Sequence, residues 1–137
     1  MTATTPDPLI PPLVAQAIEL ARRRDFSGSC SLEVGRLLRV LASQHRRGTV
    51  AEIGTGCGVG AAWIIAGLAS TAEFVTVELE VARAGAVAQL FSGYSNVTIL
   101  PGDWTRLRDR APFVMLFADA VAPSKPAWLP APELGTG

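Results

Sequence analysis

Apolar residues change their rhythm twice along this chain. The first dozen residues hold four prolines and read as an irregular arm. From Leu13 to Arg24, Leu13, Ala17, Leu20 and Ala21 fall on one helical face. A linker with turn chemistry follows over Asp25 to Ser29. Ser31 then reads as an N-cap with Glu33 in the first turn, where a negative charge is favoured. Val34, Leu37, Leu38 and Leu41 recur at i, i+3, i+4 and i+7, the spacing of an amphipathic helix, predicted to end near Arg46-Arg47-Gly48 with Gly48 as a left-handed cap.

After Gly48 the pattern becomes strand, loop, helix, repeated. Strands are predicted over 49–53, 74–77, 96–100 and 113–118, helices over 59–68 and 81–91, and a short helix or turn over 103–110. The strands are almost continuously apolar and do not alternate, which predicts helices on both sheet faces. Strands alternating with helices imply right-handed βαβ units and an α/β, doubly wound, Rossmann-like parallel sheet. From Ala122 onward four prolines and a closing Gly-Thr-Gly exclude a helix or an interior strand. The expected organisation is an N-terminal arm with helices over 1–48, a Rossmann-like half-domain over 49–121, and an irregular tail over 122–137.

Composition narrows the function classes. The chain has 137 residues, enough for one core, with 49% hydrophobic and 18% charged residues, so disorder is excluded. Twelve basic residues balance twelve acidic ones, leaving no field to recruit nucleic acid or an anionic membrane surface. Arg22-Arg23-Arg24 and Arg46-Arg47 are each placed at a helix end, where the dipole favours cations. Two cysteines make neither a disulfide framework nor a zinc site. No signal sequence or membrane-length apolar run is present, so the expected location is the cytoplasm.

The chemistry concentrates in Val50 to Trp63, VAEIGTGCGVGAAW, with glycine at 54, 56, 58 and 60 between a strand and a helix. A tight turn needs one glycine; four at alternate positions imply a backbone that lies against a ligand, beside the unpaired N–H groups of a helix start. Gly56 to Ala61 satisfies G-x-G-x-x-G/A, and Glu78 ends the next strand, which is the dinucleotide fingerprint of an NAD(P)-dependent oxidoreductase. Glu52, two residues before Gly54, argues otherwise. A carboxylate there sits badly beside a pyrophosphate and suits a ligand with a cationic amino acid group.

These residues, with SLEVGRLLRVLA before the loop, VTVELE after the second strand, NVTILPGDW after the third and LFADA after the fourth, resemble the class I S-adenosylmethionine-dependent methyltransferases. Within them the closest branch is the small-molecule O-methyltransferase group that contains the catechol and caffeoyl-CoA enzymes. The resemblance spans about 29–121. It implies S-adenosyl-L-methionine as cofactor and a small-molecule methyl acceptor. Glu52 and the backbone of Gly54, Gly56 and Gly58 would bound the methionine and ribose portion, with a hydroxyl contact from Thr55. Glu78 would accept from both ribose hydroxyls, Asp103 from the adenine amino group, Trp104 would flank the ring, and Asp119 would lie near the sulfonium.

Plainer readings stand beside these: Glu78 as a first-turn acid, Asp103 as an N-cap, Trp104 as a core aromatic and Asp119 as a turn former. The family fold has seven strands, and strands five to seven have no counterpart here. Magnesium serves some members, but the remaining metal ligands would come from the absent part, so this chain does not support a metal site. The family's lysine three residues after the strand-four acid is replaced by Ala122, with Lys125 too late in the proline segment. Three expectations follow: a truncated or frame-shifted product, a fragment completed by a homodimer through the exposed edge of strand four, or a non-catalytic cofactor-binding remnant.

Overall fold

The computed structural model describes residues 9–119. The order of elements is α1 (Pro12–Arg23), α2 (Leu32–Ser43), β1 (Thr49–Ile53), α3 (Val59–Gly67), β2 (Glu73–Glu78), α4 (Val81–Leu90), β3 (Val97–Pro101), a 3-10 helix (Trp104–Arg110) and β4 (Met115–Ala118). The four strands form one parallel sheet in the order β3-β2-β1-β4. The chain thus winds outward from β1 to β3 and crosses back to place β4 on the other side of β1. In such sheets, ligands bind beyond the strand C-termini at that switch point, between β1 and β4.

Pleating sends alternate residues to opposite faces. Val50 and Phe74 join a large core with Leu13, Val14, Ala17, Leu38, Trp63, Ile64, Val87 and Phe91, contributed by α1, α2, α3 and α4. Ala51, Ile53, Val75 and Val77 face a smaller cluster closed by Leu107 of the 3-10 helix. The expectation of helices on both faces is therefore met unevenly. Among the described residues, all four α-helices lie on one face and the other carries only the 3-10 helix.

The strand and helix ends fall within two residues of the sequence expectation from β1 onward, and β1 matches it. The main departure is α2. Ser31 caps it as expected, its side chain accepting from the Val34 N–H at 3.2 Å, with Glu33 in the first turn. The helix stops at Ser43, so Arg46 and Arg47 lie beyond it and Gly48, at φ +91, leads into β1 instead of capping α2.

The stripe predicted to face inward is also displaced. Val34, Leu37 and Leu41 are exposed at 39%, 57% and 43%, while Gly35, Leu38 and Ala42 are buried. Close helix packing is the cause. A Cβ on Gly35 would collide with the Trp63 indole, and one on Gly67 would collide with the Arg39 carbonyl. Small residues let α2 and α3 approach backbone to side chain, and dense packing there outweighs the area the leucines would have buried. The expected proline-rich tail and its Ala122 and Lys125, like residues 1–8, lie outside the described residues.

Candidate functional site

The C-terminal ends of β1, β2 and β4 open into a cavity of about 520 Å³. Every residue named from the sequence as a site residue lines it: Glu52, Gly54, Thr55, Gly56, Glu78, Asp103, Trp104 and Asp119 do so directly, with the single exception of Gly58. Gly58 instead forms the N-cap of α3.

The glycine loop explains its own composition. Gly54, Gly56 and Gly58 hold φ at +88, +57 and +88, a left-handed backbone that side chains disfavour. Gly60 is helical and serves a different need: a Cβ there would stand 3.0 Å from Glu52 Oε2. The loop is anchored by the Gly54 and Thr55 N–H groups donating to the Val77 carbonyl at 3.0 and 3.2 Å. No side chain caps α3, so its first-turn N–H groups are left to solvent or a ligand.

Glu52 lies beneath this loop, 1% exposed. Thr76 donates to its Oε1 at 2.7 Å, and the Thr76 hydroxyl shares a 2.6 Å hydrogen bond with Thr55. The Thr55 hydroxyl is thereby engaged with the floor of the site, so its service to Glu52 is indirect. Burial pushes the Glu52 carboxyl up from 4.5 to about 8; the Thr76 hydrogen bond opposes this, and Asp119 and Glu78 add like-charge repulsion. A buried acid with a raised pKa at a strand end, lining a cavity, marks a functional site by physical criteria.

Glu78, buried at the end of β2, accepts from the Gly56 N–H through Oε1 and from the Glu80 N–H through Oε2, each at 2.9 Å. Arg83 Nη1 lies 3.5 Å from the same Oε2. Glu78 precedes the N-cap Glu80 and is not a first-turn acid of α4, and its carboxylate has lone pairs beyond those used here, free to accept from a ligand. One loop N–H that a pyrophosphate would require is thus already spent on a carboxylate.

Asp103 is the N-cap of the 3-10 helix, accepting from the Thr105 N–H at 2.9 Å and from the Thr105 hydroxyl; those bonds hold its carboxyl below the usual range. Trp104 is half-buried, packs on the smaller core, and carries Arg108 over its ring at 5.2 Å. Asp119 is exposed as a residue, but partial burial of its carboxyl, which costs it solvation, pushes its pKa up. Its N–H donates to the Ile53 carbonyl at 3.0 Å, which extends the β1–β4 ladder into the site.

The sequence reading missed the opposite wall. Phe26, Gly28, Ser29 and Cys30 from the α1–α2 linker, with Arg83 from α4, also border the cavity. An aromatic between an Arg cluster and a Gly-Ser linker was the available signal. Among the described residues, no lysine or histidine lines the cavity, and no three metal-ligating side chains converge. Asp119 alone does not fit a magnesium ion.

A protein of Mycobacterium tuberculosis named "Probable O-methyltransferase Rv1220c" is 31% identical over 102 residues, covering 69% of this chain and 45% of that one. The O-methyltransferase TomG from Streptomyces achromogenes, solved with S-adenosylmethionine, superposes at a TM-score of 0.70 with 26% identity, over 81% of this chain and 54% of TomG. Over the part that it spans, the chain is similar in sequence and in fold to the class I S-adenosylmethionine-dependent O-methyltransferases. The Podospora anserina methyltransferase PaMTH1, solved with S-adenosylhomocysteine, gives the same TM-score of 0.70 at 26% identity, over 81% of this chain and 51% of that one. No protein-family model matches. The chain spans about half the length of the curated O-methyltransferases it matches. Among the described residues, no helix is long and apolar enough to cross a membrane.

Proposed function

We propose that this chain carries the S-adenosylmethionine site of an enzyme that methylates an oxygen of a small-molecule acceptor. The observation that carries the reading is the pairing of a buried carboxyl, Glu52, beneath a glycine cradle with a second buried carboxylate, Glu78, at the rim of the same cavity. Glu52 meets the ligand's ammonium group. Gly54 and Gly56 bring backbone against its methionine and ribose portion, Gly58 caps α3 behind them, and Thr55 steadies Glu52 through Thr76. Glu78 accepts from the ribose hydroxyls, Asp103 from the adenine amino group, Trp104 flanks the ring, and Asp119 lies toward the sulfonium.

When bound, the sulfonium supplies an electrophilic methyl group, transferred by in-line displacement to the acceptor oxygen. The contribution of this chain is to hold that group in attack geometry, which accounts for much of the acceleration in such displacements. Among the described residues, none that lines the cavity is placed as a base for the acceptor; the reading includes weak cofactor binding and no turnover by the chain alone, which steady methyl transfer by a purified monomer would overturn. The NAD(P) alternative is disfavoured by the Gly56 N–H already donating to Glu78 and by the Glu52 carboxyl beneath the cradle.

Calorimetry with S-adenosylhomocysteine and with NADH tests the reading. Binding of the first alone, weakened by Glu52→Gln, supports it; binding of NADH in its place overturns it. A homodimer through the edge of β4 belongs to the same proposal, since β4 lies at a margin of the described sheet. Light scattering that finds only monomers at concentrations well above those of the assay removes it.

A further inference from the structure

Four elements meet at the rim of the cavity in a closed circuit. The Gly56 N–H donates to Glu78 Oε1 at 2.9 Å, and Glu78 Oε2 lies 3.5 Å from Arg83 Nη1. The Arg83 guanidinium stacks 4.5 Å from the centre of the Phe26 ring. Phe26 returns to the start, because a Cβ on Gly56 would stand only 2.8 Å from its Cε1. Gly28, on the other side, is as close: a Cβ there would meet the Phe26 Cζ at 2.8 Å. The ring is thus clasped between two glycines that leave it room.

Nothing in the sheet requires this arrangement. Phe26 belongs to the linker between α1 and α2, which has no regular structure and whose Ser27, Gly28 and Ser29 are exposed. Its ties are few. The Phe26 N–H donates to the Ala21 carbonyl at 2.9 Å, and Arg24 Nη2 approaches Glu80 Oε1 at 3.9 Å across two exposed side chains. A segment with so few contacts sits at the low end of local stability. Arg83 is better fixed, with Nη2 at 3.0 Å from Glu80 Oε2.

We propose that the linker is a strap over the bound nucleoside, with Phe26 as its seat on the glycine loop and Arg83 as the positioning residue that ties it to Glu78. This rests on the reading of the cavity as a nucleoside site. A ligand whose hydroxyls are held by Glu78 lies beside Gly56, and therefore against the Phe26 ring. To enter or leave, it must lift that ring off Gly56 and break the Arg83 stack. The strap then governs residence time more than it governs pose, because the groups that recognise the ligand belong to the sheet. Arg83 serves both parts: its charge steadies Glu78, and its flat face holds Phe26, a combination that lysine cannot supply.

The full chain is compared with Phe26→Ala and Arg83→Lys by stopped-flow dissociation of S-adenosylhomocysteine. Each variant is expected to speed dissociation about two- to five-fold, the loss of one partly buried stacking contact. Arg83→Lys, which keeps a charge beside Glu78, should do so with the smaller change in equilibrium affinity. Unchanged dissociation in both variants overturns the strap, even if their thermal midpoints fall, since that pattern marks a merely structural contact. A second arm needs no ligand. Hydrogen exchange at the Phe26 amide of the free chain should quicken in Arg83→Lys, and equal exchange overturns the proposal. Failure of the wild type to bind S-adenosylhomocysteine with quickened exchange in Arg83→Lys would remove the nucleoside reading and leave the clasp standing.

Discussion

Glu52→Gln should make the ligand-free chain more stable while it weakens ligand binding. The wild-type carboxyl is 1% exposed and has its pKa lifted from 4.5 to about 8, chiefly by burial. An acid whose folded-state pKa lies above its unfolded value carries no penalty below pH 4.5, where both states are protonated. Between pH 4.5 and about 8 the unfolded chain ionises and the folded one resists, so stability falls as pH rises. Each pH unit in that window removes about 1.4 kcal/mol, or roughly 3 kcal/mol by pH 7. Glutamine keeps the shape and can still accept the Thr76 hydroxyl through Oε1, but it has no proton to lose. The two proteins should therefore be nearly equal at pH 5 and diverge in favour of the variant toward pH 8. Urea denaturation followed by circular dichroism across that range measures the difference directly. A gap that stays constant with pH would refute the argument, because it would mean that Glu52 titrates alike in both states.

Two other outcomes follow from the same geometry. If the free carboxyl is protonated and the bound one faces an ammonium group, S-adenosylhomocysteine binding at pH 7 should release nearly one proton, read by calorimetry in buffers of different ionisation enthalpy; no buffer dependence would contradict it. Gly67→Ala should cost about 1–3 kcal/mol through the added methyl against the Arg39 carbonyl, despite the better helix propensity of alanine. A melt within a few tenths of a kcal/mol of wild type would show that α2 and α3 separate freely.

The strand–helix order, the parallel sheet and the glycine loop were legible because each rests on local rules. Apolar β-branched runs, turn glycines and helical spacing all agree between 49 and 101. The α2 reading failed because periodicity marks an apolar face without saying what will meet it. Here Trp63 and Gly67 of α3 admit a backbone-close partner, so Gly35 and Ala42 outcompete Leu37 and Leu41 for the interface. In the site, the acids at 52, 78, 103 and 119 were found by their positions at strand ends. What spacing could not reveal was their company. That Glu78 is held by Gly56, that Thr55 serves Thr76, and that Phe26 closes the far wall against Arg83 are contacts between residues 21 to 57 positions apart. The Phe26–Arg83 stack, in particular, joins two segments that carry no motif.

The contact between the Glu52 carboxylate and a ligand ammonium is best tested by a thermodynamic cycle. S-adenosylhomocysteine and its analogue lacking the α-amino group are titrated into the wild type and Glu52→Gln. Removing either partner should weaken binding about ten-fold or more, and removing both should cost little beyond removing one. Losses that simply add, or a wild type indifferent to the amino group, would contradict the account.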